Sequence, residues 1–169
     1  MYRFIMMLFT MSALMAGTTA SYANDKAIVG YAEKVHIYPG AMEVRARIDT
    51  GAKLASLHCN CITPVKRNGE DWVSFTVANT SGQIIRLERK IHRTVSIKRH
   101  FGKSQERYVI MLGVCLGNVY KETEVSLIDR KGLTYPMLIG RKFMGKDFLV
   151  DTESKYLKPP KCEVSAKSE

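Results

Sequence analysis

The sequence predicts an all-β domain, a closed or partly open barrel with at most one short helix. Three observations lead there: short alternating or apolar runs recur along the chain, turn-forming clusters separate them, and sustained 3.6-residue periodicity is almost absent. With 169 residues and 46% hydrophobic content, the chain has the size and composition of one globular domain with a real core.

Residues 1–23 are set apart before any strand is assigned. Arg3 gives a positive start, residues 4–15 form an apolar run, and Ser21-Tyr22-Ala23 offers small residues at a cleavage site. A cleaved signal peptide and a periplasmic or secreted domain are therefore expected. The alternative, a retained anchor, is disfavoured because the run is shorter than the roughly 20 residues a spanning helix needs. Residues 24–157 then form the β domain, and residues 158–169, with Pro159-Pro160 and several Lys, Ser and Glu, read as a flexible tail.

Residues 27–37 read as the first strand, with a break near His36, and Tyr38-Pro39-Gly40 as a turn. In residues 41–48 the even positions Met42, Val44, Ala46 and Ile48 are apolar between charged neighbours, which describes a half-buried strand ending at Asp49. Residues 72–77 and 83–87 flank the turn-forming Asn79-Thr80-Ser81-Gly82, a hairpin pattern. Alternation resumes at 91–98, His100-Phe101-Gly102-Lys103 turns the chain, and 107–112 is a further apolar strand. Residues 119–127 are two-faced and end at Asp129-Arg130-Lys131-Gly132. Residues 137–139 look buried, 141–144 fit one helical turn closed by Gly145, and 148–150 make a last short strand.

Two motifs stand out: Asp49-Thr50-Gly51-Ala52 at a strand end, and Met137-Leu138-Ile139-Gly140-Arg141 far downstream. Between them lie Ser56-Leu57-His58, then Glu106-Arg107-Tyr108-Val109-Ile110, and Leu127-Ile128-Asp129-Arg130 running into Tyr135-Pro136. In order and spacing, across residues 29–151, these blocks resemble the bacterial retropepsin-like aspartic peptidase family, formerly catalogued under an ATP-dependent zinc protease name. Neither a Gly-x-x-x-x-Gly-Lys-Ser/Thr phosphate loop nor a His-Glu-x-x-His pair is present, so no cofactor and no metal is expected.

The resemblance implies a retropepsin-like barrel in which Asp49 is the catalytic carboxylate of a peptidase (hydrolase). Such chemistry needs two carboxylates sharing one proton around a water. This chain has the triplet once, so the resemblance implies a homodimer with Asp49 on both sides of a two-fold axis. Thr50 is expected to hold the opposing loop through its hydroxyl, and Gly51 and Ala52 to keep the crowded loop small. By the same resemblance Leu138 and Ile139 pack beneath the loop, Gly140 lets two backbones pass closely, and Arg141 pairs with carboxylates near the dimer contact. The substrate-covering flap is expected at 79–82 or at 100–103. Lys53 reads as a solvated lysine or a substrate-side cation. Leu54 and Ala55 stand where relatives carry Thr or Ser, and Cys59-Asn60-Cys61 is also a departure.

The net charge is +10, and removing residues 1–23 leaves +9. That balance suits solubility and attraction to anionic surfaces or an acidic peptide or protein substrate. Nucleic acid is not expected, because the basic residues are dispersed. A non-catalytic basic β-domain binding acidic peptide, glycan or an envelope partner is the alternative function. Cys59, Cys61, Cys115 and Cys162 suggest disulfides in an oxidising compartment, with bonds from Cys59 or Cys61 to Cys115 or Cys162 expected. The competing reading is zinc held by His58, Cys59 and Cys61 with Cys115 or His36. His92 and His100 read as surface residues.

Overall fold

The structure, a computed structural model, describes residues 26–97 and 104–164. Its strands are β1 (Ala27–Tyr38), β2 (Met42–Ile48), β3 (Ala55–His58), β4 (Asn60–Arg67), β5 (Glu70–Ala78), β6 (Ile84–Ile97), β7 (Gln105–Leu116), β8 (Val119–Ile128), β9 (Met137–Ile139) and β10 (Phe148–Lys155), with one helical turn, α1 (Arg141–Met144). Six strands close a barrel in the order β1-β2-β9-β3-β8-β7, sealed where His36, Ile37 and Tyr38 pair with Cys115, Val114 and Gly113. β10 adds to β1 in parallel, and β6, β5 and β4 extend the sheet beyond β7.

The alternation in β2 is what places Asp49. Met42, Val44, Ala46 and Ile48 point into the core while Glu43 and Arg47 face solvent. Opposite rows from β9 (Met137, Ile139), β3 (Ala55, Leu57), β8 (Val125, Leu127) and β7 (Ile110, Leu112) fill the interior. Val73, Phe75, Val77 and Leu87 of β5 and β6 join the same cluster, so the extension packs on the barrel and shares its core.

Four elements differ from the sequence reading. β1 runs continuously through His36, where a break was expected. The runs read separately at 83–87 and 91–98 share one strand, β6 (Ile84–Ile97), bent by an irregularity in its pairing with β7 between Ile91 and Arg93. β3 has four residues, too few to show a period. β4 is almost wholly exposed and carries Pro64, which an edge strand tolerates.

Beyond β10 the chain is tied back to the barrel, although a tail was expected from residue 158. Tyr156 N–H donates to the Ala32 carbonyl at 2.8 Å, and Lys161 N–H to that of Gly117 at 2.6 Å. The fully buried Glu33 carboxylate accepts the Gly30, Leu157 and Lys158 amides at 2.7, 3.0 and 3.2 Å. A Cys115–Cys162 disulfide, Cα–Cα 6.0 Å, completes the strap. The expected bonds from Cys59 or Cys61 are thus corrected: both are free, because the strap brings Cys162 alongside the β7 end that carries Cys115. The bond closes a loop with a sequence separation of 47 residues. Replacing both of its cysteines by serine is expected to cost about 4 kcal/mol on the chain-entropy model. Chemical denaturation with and without reductant checks it: reductant should destabilise the native protein and leave the variant unchanged. Residues 1–23, 100–103 and 165–169 lie outside the described residues.

Candidate functional site

Asp49 leaves β2 with its backbone still in register, its N–H donating to the Ile139 carbonyl at 2.9 Å. The chain then folds back so that the Gly51 and Ala52 amides both donate to Asp49 Oδ1, at 2.9 and 3.1 Å. A Cβ on Gly51 would sit 3.2 Å from that oxygen, so the bare backbone suits the turn. Two fixed amides orient the carboxylate.

β9 runs parallel to β2, with Ile48 opposite Ile139, and delivers Gly140 against the Asp49 loop. A Cβ on Gly140 would lie 2.5 Å from the Leu54 carbonyl oxygen and 2.6 Å from its carbon, both backbone atoms. Gly140 therefore passes close against the Leu54 backbone. From α1, Arg141 N–H donates to Ala52 O at 2.9 Å and Lys142 N–H to Lys53 O at 3.0 Å. Arg141 Nη1 reaches the Thr50 and Gly51 carbonyls at 2.8 and 2.6 Å. Where the resemblance led to carboxylate partners for Arg141, the guanidinium here holds the loop's own carbonyls. Of the two residues expected beneath the loop, Ile139 is in the core, whereas the half-buried Leu138 points to the other face because side chains alternate. Thr50 and Lys53 are exposed.

A cleft of about 490 Å³ opens beside the carboxylate, lined by Tyr31, Arg47, Ile48, Asp49, Thr50, Val150 and Thr152. Tyr135 adjoins this wall: burial, with Tyr31 and Tyr156 beside it, pushes its phenol up from the usual range. A larger groove, about 1460 Å³, lies around Tyr38, Pro39, Trp72, Arg89 and Tyr120, where none of the motif residues sits.

Arg130 is the neighbour that sequence reading passed over as a site residue. Its Nη1 donates to Ser56 Oγ at 3.1 Å, its Nε to Tyr135 O at 3.2 Å, and its backbone N–H to His58 Nδ1 at 2.8 Å. Burial lowers its proton affinity from the ordinary guanidinium range, and the Asp49 carboxylate opposes that. The one clue was its place in the Leu127–Arg130 block.

Of the two turns expected to be the flap, that at 79–82 is held away from the site. Asn79 Nδ2 donates to Glu43 O at 3.1 Å, six residues before Asp49 and so roughly 20 Å along the strand. The other, at 100–103, lies outside the described residues.

The zinc arrangement through Cys115 is excluded by the disulfide at that residue. Cys59 is 2% exposed and burial pushes its thiol up to about 12, which suits neither a ligand nor a nucleophile. Among the described residues no group of three or more His, Cys, Asp or Glu is placed to hold a metal.

Beneath α1, the buried Glu124 binds Arg93 through both oxygens, at 3.1 and 3.2 Å, and Lys142 at 2.7 Å. His92 Nε2, read from sequence as a surface residue and indeed half exposed, lies 3.2 Å from the same carboxylate. Arg93 first, then Lys142, hold the Glu124 carboxyl down to about 2. Its stabilisation is thus complete above the ordinary carboxylate range and is lost as pH falls towards 2. Glu124→Gln is expected to lower Tm by roughly 5 °C at pH 7, with the gap narrowing towards pH 2. A gap independent of pH in thermal melts would contradict this.

Comparison with known proteins adds three findings. A family model described as RimB-like, retropepsin-like aspartic endopeptidase RimB, matches residues 28–161. A protein named probable alpha-L-glutamate ligase from Shewanella pealeana is 37% identical over 139 residues, 79% of this chain and 30% of that protein; one of the same name from Shewanella halifaxensis is 36% identical with the same coverage. The chain thus spans about 30% of the length of these curated relatives. The crystal structure of Lpg0085 from Legionella pneumophila, described as a protein of unknown function, is similar with a TM-score of 0.68 at 31% identity, covering 79% of this chain and 98% of that one.

Proposed function

The chain belongs to the RimB-like family of retropepsin-like aspartic endopeptidases, and from that premise we propose that two copies bring their Asp49 loops together and hydrolyse peptide bonds with a water held between the carboxylates. The observation that carries this is the Asp49 loop itself: a carboxylate oriented by two amides, locked from behind by Gly140 and Arg141, and occurring once in the chain. One carboxylate cannot both polarise a carbonyl as an acid and activate water as a base. Two at close range resist joint ionisation, so one stays protonated and polarises the carbonyl while the other takes the water's proton. Exposure of Thr50 beside Asp49 supports a role for its hydroxyl in meeting the partner's loop.

An acidic peptide is the proposed substrate class. It is supported by the +10 charge, by Arg47 in the cleft wall, and by relatives whose name concerns glutamate ligation. The leader-like residues 1–23 and the Cys115–Cys162 bond support a periplasmic or secreted location.

Specific activity on a quenched-fluorescence glutamate-rich peptide, measured against protein concentration, tests the proposal. Activity per chain is expected to rise with concentration in the range where light scattering detects dimer formation, then level off. Constant activity per chain across a range in which the protein is monomeric would contradict it. No turnover together with retained binding of the peptide would instead favour the non-catalytic binding domain.

A further inference from the structure

We propose that Arg130 is a positioning residue of the Asp49 site: a fixed cation on the face where the paired carboxylates meet, setting the pH range in which they share one proton. The proposal rests on reading the site as a dimeric aspartic peptidase.

Strand register places the two groups on one face. Ser56 pairs with Leu138 and Leu138 with Arg47, so these three side chains emerge on the same side of the β3-β9-β2 row. The opposite side holds Ile48, Ile139 and Ala55, all buried in the core. Asp49 lies two residues beyond Arg47, and its N–H continues the ladder on Ile139, so its carboxylate shares the outer side. Arg130 is anchored to Ser56 on that side, with β9 between it and β2. Two strand spacings put the anchor roughly 10 Å from the β2 backbone, within reach of a weakly screened charge.

Anchoring distinguishes Arg130 from the other charges around Asp49. Arg47 on β2 and Lys53 in the loop are exposed and screened by water. Arg141 from α1 is committed to the Thr50 and Gly51 carbonyls. Tyr31 of β1 lines the cleft, and β10 supplies Val150 and Thr152 there. Among these cations Arg130 alone is half-buried, held by both Ser56 and the Tyr135 carbonyl, and coupled to Asp49. A cation so fixed favours ionised carboxylates, and a symmetric dimer has two.

The test is the pH dependence of kcat/KM for the native protein, Arg130→Gln and Arg130→Lys on the same peptide. With Arg130→Gln both limbs of the profile are expected to move to higher pH by about half a unit or more, and Arg130→Lys to recover at least part of the shift. A fall in kcat with unmoved limbs would assign Arg130 a purely structural role and overturn the proposal. A second readout does not depend on turnover: carboxyl carbon NMR of Asp49, assigned with Asp49→Asn, should show Asp49 titrating at higher pH in Arg130→Gln. If the native protein hydrolyses nothing at any pH, the peptidase reading fails, and this titration alone decides whether Arg130 acts on Asp49. Should Arg130→Gln not fold, Ser56→Ala, which keeps the cation and frees one anchor, is expected to move the titration in the same direction by less. An unmoved titration there overturns the proposal.

Discussion

Asp49→Asn is expected to lower peptide hydrolysis by about 10³-fold or more, while fold and dimerisation survive. The asymmetry follows from the two jobs of one side chain. As an acceptor, Asp49 Oδ1 takes the Gly51 and Ala52 amides, and an Asn carbonyl oxygen in the same place accepts both. As a proton carrier, the carboxylate has no substitute in an amide, and losing a positioned general acid or base typically costs 10²–10⁴-fold, more when the groups act as a unit. Activity assays and thermal melts on the same preparation check it. Turnover retained at the native level would refute the assignment of Asp49.

Gly140→Val is expected to damage stability and activity together. The first side-chain carbon alone would meet the Leu54 carbonyl group at 2.5 Å and the Ala52 oxygen at 3.0 Å, and backbone cannot swing aside as a long side chain can. The strain is about 3 kcal/mol or more, relieved only by displacing the 49–54 loop. Because that loop carries Asp49, a displacement near 1 Å is worth about 100-fold in rate. Unfolding curves and kcat on one variant measure both losses. A variant with native stability and native kcat would show that the close passage has no functional weight.

How much of this was legible in the sequence follows from which signals are local. Alternation at 42–48 is a property of a single strand, and it placed both the core face and Asp49 correctly. The helical turn at 141–144 was legible for the same reason, with apolar Phe143 and Met144 buried and Gly145 ending it. Bent β6 read as two strands because an irregular pairing interrupts the period without ending the strand. β4 was missed because an exposed edge strand needs no apolar pattern.

At the site, the passage of Gly140 behind the Asp49 loop was read from family resemblance and not from periodicity. What was lost is long-range. The pairing of Cys115 with Cys162 depends on the path of the strap, which spacing does not encode. The partners of Arg141 are carbonyls of a loop some 90 positions earlier in the chain. Arg130 reads as an ordinary turn cation until the fold sets it beside Ser56, 74 residues away.

The most direct measurement is a crystal structure of the assembled protein that gives the separation of the two Asp49 carboxyl groups. Facing oxygens within about 3 Å, close enough to share a proton across a two-fold axis, are the expected result. Asp49 side chains held apart, each facing solvent with no second copy opposite, would contradict it.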